Sequence, residues 1–129
     1  MDIGIIGLGK MGANMARRLS KGGHRVVGVD HAFENAQTLA AEVGLVPAAS
    51  LTDLVAALPA PRVVWVMVPS GAPTEKVVGE LAELLSAGDT VIDGGNTFYK
   101  DDIRRAAALK DKDIHYLDVG TSGGVWGLV

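Results

Sequence analysis

Asp2-Ile3-Gly4-Ile5-Ile6-Gly7-Leu8-Gly9-Lys10-Met11-Gly12 runs a short apolar strand straight into G-x-G-x-x-G. In that pattern Gly7 permits a sharp backbone turn, and Gly9 leaves no side chain between the main chain and a pyrophosphate. Gly12 lets the following helix pack close to the strand. The helix would aim its N-terminal N–H groups, and the positive end of its dipole, at phosphate. A chain with seventeen glycines produces such spacings by chance, so the context carries the assignment. A strand precedes the glycines, a helix with the apolar stripe Met11, Met15 and Leu19 follows, and Asp30 stands eighteen positions after Gly12. The expectation is a phosphate-binding turn made by Gly7, Leu8, Gly9, Lys10, Met11 and Gly12.

The remaining chain keeps alternating strand and helix. Lys21-Gly22-Gly23-His24 closes the first helix with glycine where a left-handed cap is wanted. Residues 25–30 are β-branched on both faces, as in a parallel strand covered by helices. Residues 33–43 predict a helix with Ala36, Leu39, Ala40 and Val43 on one side, stopped by Gly44, and Leu45-Val46-Pro47 a short third strand. Ser50-Leu51-Thr52-Asp53 is a capping box opening a helix whose stripe is Leu51, Leu54, Val55 and Leu58, broken by Pro59-Ala60-Pro61. Residues 62–68 form the strongest strand. Pro73 suits the first turn of the next helix, whose buried face is Val77, Val78, Leu81, Leu84 and Leu85. Residues 90–93 predict a fifth strand, about 98–110 a helix, and 114–119 a sixth strand. Such alternation, without repeat or linker, predicts one α/β domain over residues 1–129: a Rossmann-type, doubly wound parallel sheet with helices on both faces.

In that fold the carboxyl ends of all strands share one rim, where ligands bind. The loops leaving strands 1, 2, 4, 5 and 6 are residues 7–12, 30–31, 69–72, 94–97 and 120–124, rich in glycine, hydroxyl and amide groups. Connectors on the other rim, residues 21–24 and 59–61, look plain. Asp30 can accept hydrogen bonds from an adenosine ribose, and its charge opposes a 2′-phosphate. No arginine follows it in His31-Ala32-Phe33-Glu34, which favours NAD over NADP. A partly protonated His31 would soften that discrimination. The other role for Asp30 is capping the next helix, compatible with the first. Asn96 either caps the following helix or offers an amide at the rim; position alone leaves both open. Ser122-Gly123-Gly124 is either a turn or a small nest for a substrate carboxylate. His24 and His115 look structural, and Trp65 belongs to the core. Trp126 stands beside the rim, where it could pack against a missing partner. Asp30, Asp93 and Asp118 are too scattered to suggest a metal site.

Composition narrows the partners. A net charge of −3 with both signs interspersed suggests neither nucleic acid nor an anionic membrane as partner. Without cysteine there is no disulfide, thiolate metal site or cysteine nucleophile. No apolar run approaches the ~20 residues of a membrane span, and a strand starting at residue 2 leaves no room for a leader, so a cytoplasmic protein is expected. The hydrophobic fraction of 48% and positive mean hydropathy hint at apolar surface facing another domain or subunit.

Four motifs carry a resemblance: Gly7-Leu8-Gly9-Lys10-Met11-Gly12-Ala13-Asn14, Met67-Val68-Pro69-Ser70-Gly71, Asp93-Gly94-Gly95-Asn96-Thr97-Phe98-Tyr99 and Gly120-Thr121-Ser122-Gly123-Gly124-Val125-Trp126-Gly127. In this order and spacing the chain resembles the amino-terminal domain of 6-phosphogluconate dehydrogenases, within the β-hydroxyacid dehydrogenase superfamily. The D-G-G-N-[ST]-x-Y element separates them from 3-hydroxyisobutyrate-like relatives, and G-T-S-G-G-V-W-G-L looks like a shorter bacterial branch with NAD-preferring members. The resemblance implies oxidative decarboxylation of 6-phosphogluconate to ribulose 5-phosphate in the pentose phosphate pathway. Hydride leaves C3 for the nicotinamide, and the resulting β-keto acid loses carbon dioxide. By the same resemblance, residues 7–12 hold the pyrophosphate, Asp30 with His31 the adenosine ribose, and Val68, Pro69 and Ser70 the cofactor's other half. Asn96 contacts cofactor and substrate, and Ser122, Gly123 and Gly124 hold substrate. The family's general-base lysine, its acid glutamate and its helical oligomer-forming domain have no counterpart in these 129 residues. Neither Lys10 nor Lys100 matches the catalytic motif. The expectation is the cofactor-binding part of a dimeric or tetrameric enzyme, truncated just after the sixth strand. Such a piece would bind NAD, or NADP as the alternative, without turnover. The competing assignments are another β-hydroxyacid dehydrogenase and a non-catalytic NAD-sensing module; the sensor predicts no role for Asn96.

Overall fold

A computed structural model describes residues 2–67, 72–94 and 107–118. Its elements are β1 (Asp2–Ile6), α1 (Lys10–Lys21), β2 (Arg25–Val29), α2 (Phe33–Val43), β3 (Val46–Pro47), α3 (Leu51–Ala56), β4 (Val63–Val66), α4 (Ala72–Leu84), β5 (Thr90–Asp93) and β6 (His115–Asp118). Residues 107–110 are also helical. The six strands form one sheet in the order β3-β2-β1-β4-β5-β6, and each adjoining pair is parallel. This is the expected doubly wound sheet. Its order reverses between β1 and β4, so the rim crevice lies there.

The sheet is buried on both faces, which explains its β-branched strands. On one face Ile3, Ile5 and Val26 pack against Ala13, Met15 and Ala16 of α1 and Ala36 and Leu39 of α2. On the other, Val27, Val64, Val66 and Val91 pack against Leu54 and Val55 of α3, Val78 and Leu81 of α4, and Leu109.

Local signals set the boundaries. Gly44 ends α2 in the left-handed conformation (φ 80°), and Gly23, just beyond α1, has φ 89°. The Ser50 side chain caps α3 by accepting the Asp53 N–H at 3.1 Å. That helix is shorter than its stripe suggests, because Ala57 and Leu58 turn out of it, yet Leu58 stays buried. Trp65 is half-buried rather than enclosed. His115 lies in a strand, as read from the sequence, opening β6 with its side chain exposed. Among the described residues no helix is long and apolar enough to cross a membrane.

Candidate dinucleotide site

Because the strands are parallel, Gly7, Asp30, Met67 and Gly94 follow the carboxyl ends of β1, β2, β4 and β5 on one rim. His24 lies at the other. The backbone amides of Gly7, Met67 and Gly94 extend the ladder, donating to Val29, Ile6 and Val66 at 2.9, 2.7 and 2.9 Å.

The glycine turn is built as its spacing predicts. Gly7 has φ 94°, a conformation that L side chains avoid. A β-carbon at Gly12 would collide with the Gly7 carbonyl oxygen, so only glycine lets α1 come this close to β1. A β-carbon at Gly9, by contrast, would meet nothing within 4 Å. Gly9 opens α1 without a side-chain cap, and no acidic residue stands in the first turn. The amides of residues 10–12 precede the first intrahelical donor, Ala13, which bonds Gly9 at 2.8 Å. Lys10 is exposed beside them and Met11 half-buried. Open space, uncapped amides and a nearby cation suit an anion.

Asp30 is tied to this turn. Its Oδ1 accepts the Leu8 N–H at 2.8 Å, and its Oδ2 accepts the Ala32 N–H at 3.1 Å and the Asn35 amide at 2.9 Å. Asp30 does not cap α2 as expected: the N-cap is Ala32, with no side-chain cap bond, and Asp30 instead holds the turn before the helix and the Asn35 side chain, together with the long-range bond to Leu8. The carboxylate is 5% exposed, whereas the neighbouring His31 imidazole, 3.7 Å away, is almost fully exposed. Burial pushes the Asp30 carboxyl up. The Leu8 amide, Asn35, the Ala32 amide and His31 together outweigh it and hold the group below its usual range. Three donors leave one of about four acceptor positions for a ligand hydroxyl. These residues fit a dinucleotide's adenosine ribose and pyrophosphate.

Of the predicted site, the described residues therefore bring together Gly7, Leu8, Gly9, Lys10, Met11, Gly12, Asp30 and His31. Val68, Pro69, Ser70, Asn96, Ser122, Gly123 and Gly124, with Trp126, lie outside the described residues. Two contributions escaped the sequence. Asn35 steadies Asp30 from the first turn of α2, and an asparagine five residues after the strand-end acid was the available signal. Gly94 is crowded, since a β-carbon there would force the Trp65 indole and the Met67 thioether to move.

Comparison with known proteins agrees with this geometry. The family described as the NAD binding domain of 6-phosphogluconate dehydrogenase matches residues 2–128. The NAD(+)-dependent, decarboxylating 6-phosphogluconate dehydrogenase of Haloferax volcanii is 41% identical over 127 residues, 98% of this chain and 41% of that protein. Among solved structures, Plasmodium falciparum 6-phosphogluconate dehydrogenase, studied with NADP+ and with 6-phosphogluconate, superposes with TM-score 0.86 at 27% identity, covering 93% of this chain and 27% of its own. The Mycobacterium tuberculosis 3-hydroxyisobutyrate dehydrogenase gives 0.81 at 29% identity, covering 91% and 39%. The chain thus spans well under half the length of these relatives.

Proposed function

The chain belongs to the family of the NAD binding domain of 6-phosphogluconate dehydrogenase, and from that membership we propose that it holds NAD in preference to NADP for the oxidative decarboxylation of 6-phosphogluconate. The observation that carries the cofactor choice is Asp30: a buried carboxylate, bonded to the phosphate turn through Leu8, with one acceptor position spare. It would receive a ribose hydroxyl and oppose a 2′-phosphate. Gly9 and the amides that open α1 would hold the pyrophosphate, with Lys10 adding positive charge. Bound NAD supplies a hydride acceptor. Val68, Pro69 and Ser70 are assigned to the cofactor's second half, Asn96 to the junction of cofactor and substrate, and Ser122, Gly123 and Gly124 to the substrate. The enzyme so formed is a homo-oligomer acting on a small phosphorylated acid.

Paired titration of the 129-residue chain with NAD and NADP tests the cofactor assignment. NAD is expected to bind more tightly, and Asp30→Ala to narrow the gap, since it removes both the ribose contact and the repulsion. Equal affinities in the unsubstituted chain would overturn the preference. The structural likeness to 3-hydroxyisobutyrate dehydrogenase keeps a second substrate class in view. In an enzyme of the relatives' length carrying this domain, 6-phosphogluconate rather than 3-hydroxyisobutyrate should drive NAD reduction, and Asn96→Ala should lose most of that turnover because hydride transfer is limited by geometry.

A further inference from the structure

The sheet repeats itself about the boundary between β1 and β4. Strands β1-β2-β3 run outward on one side and β4-β5-β6 on the other, so β5 holds in the second half the place that β2 holds in the first. Both carry a carboxylate at their carboxyl end: Asp30 directly after β2, Asp93 as the last residue of β5. Their sidedness also corresponds. Asp30 bonds Asn35 of α2 and so faces the layer of α1 and α2. Asp93 shares the sheet face of Val91, which packs with α3 and α4. A two-fold axis along the strands exchanges these two layers.

The two carboxylates differ in what they meet. Asp30 keeps an acceptor position at the rim. Asp93 is fully buried, and its Oδ2 accepts the Tyr116 hydroxyl at 2.7 Å. Tyr116 stands opposite Val91 in the β5–β6 register, two residues before Asp93, so the phenol reaches diagonally along the same face. A carboxylate is buried at a cost unless donors meet it, and when met it fixes its surroundings in one arrangement. Next along the chain, Gly94 bonds the Val66 carbonyl and lies so close to Trp65 and Met67 that a β-carbon there would force them to move. The backbone at Gly94 thus runs directly against those two side chains, and its place depends on where the end of β5 is held.

We propose that Asp93 and Tyr116 are a positioning pair, the second-half counterpart of Asp30, that fixes the end of β5 and Gly94 where the nicotinamide-ribose half of a dinucleotide lands. The pair does not touch the ligand. The inference rests on the dinucleotide assignment above, and the test separates the two.

The 129-residue chain and its Tyr116→Phe and Asp93→Asn variants are titrated with NAD and with ADP, which lacks the nicotinamide ribose. Losing a hydrogen bond to a charged group is expected to weaken NAD about tenfold, with ADP affinity unchanged. Equal weakening of both ligands would reveal a merely structural role and overturn the proposal, as would unchanged NAD affinity in folded Tyr116→Phe. Amide hydrogen exchange without ligand gives a second readout. Faster exchange at Gly94, with Leu8 unaffected, supports the pair; an unchanged Gly94 overturns it. An unsubstituted chain that binds neither NAD nor ADP would sink the dinucleotide assignment instead, and the exchange readout would still decide whether the pair fixes β5.

Discussion

Gly9 and Gly12 stand three residues apart in one motif but answer to different forces. Gly12 is demanded by the fold, since a side chain there runs into the Gly7 carbonyl oxygen. Gly9 is surrounded by open space, and its backbone (φ −67°, ψ −168°) is one that any residue can adopt. Alanine at the two positions should therefore separate stability from binding. Gly12→Ala is expected to lose about 3 kcal/mol through overpacking against a backbone that cannot move aside. Gly9→Ala should keep the melting temperature while weakening NAD, because its methyl group enters the space the pyrophosphate needs. Thermal denaturation beside a NAD titration checks both. Equal loss of stability in the two variants would contradict the assignment. The glycine roles were legible because the motif states a steric requirement residue by residue. The bond of Asp30 to Leu8 was not, since its donor lies 22 positions away and no spacing rule announces it.

Among the elements, the joint between α3, β4 and β5 depends on Arg62 and Asp89. The Arg62 Nε donates to the Val55 and Leu58 carbonyls at 3.0 and 3.2 Å, closing the end of α3, and its Nη1 donates to Asp89 Oδ2 at 3.1 Å. Asp89, fully buried, also accepts the Arg62 amide at 2.6 Å and the Ser86 amide at 2.8 Å. Burial raises the Asp89 carboxyl, but the Arg62 amide, the Ser86 amide and the Arg62 guanidinium outweigh it and leave the group below its usual range. A depressed acid stabilises the fold at every pH above its unfolded value of about 3.9, and that contribution disappears as pH falls through the lower folded value. Acid unfolding should accordingly steepen below about pH 4 and flatten in Asp89→Asn. Arg62→Met, which strands the buried carboxylate, should cost about 3 kcal/mol in urea denaturation at pH 7. An Arg62→Met chain as stable as the parent would show the pair to be incidental.

The same joint marks what periodicity could and could not show. Residues 33–43 were legible as a helix and match α2 end to end, because an apolar stripe and a terminal glycine are local signals. Residues 62–68 were legible as a strand; β4 is Val63–Val66, starting one residue later because Arg62 turns its side chain and amide to Asp89, and Val68 lies outside the described residues. Asp89 drew no sequence reading; its partner lies 27 positions away, beyond any local pattern. Tyr116 escaped for the same reason, its bond to Asp93 spanning 23 positions.

At the scale of the whole molecule, two electrostatic causes could give the same preference for NAD. The chain carries −3, and the 2′-phosphate of NADP adds roughly two further negative charges. The net charge acts from a distance, through solvent. Asp30 acts at contact, from a side chain that is 5% exposed. Salt distinguishes them, because the Debye length shrinks from about 30 Å at 0.01 M to about 8 Å at 0.15 M, while buried or partly buried pairs are screened much less. A preference set by net charge would fade over that range as both affinities drift together. One set by Asp30 should persist at 0.15 M, even as the pyrophosphate's attraction to Lys10 and the opening of α1 weakens for both cofactors alike. Titrations with NAD and NADP at the two ionic strengths measure this directly. A gap that closes with salt in the parent, and is no smaller in Asp30→Ala, would assign the choice to the overall field and remove Asp30 from it.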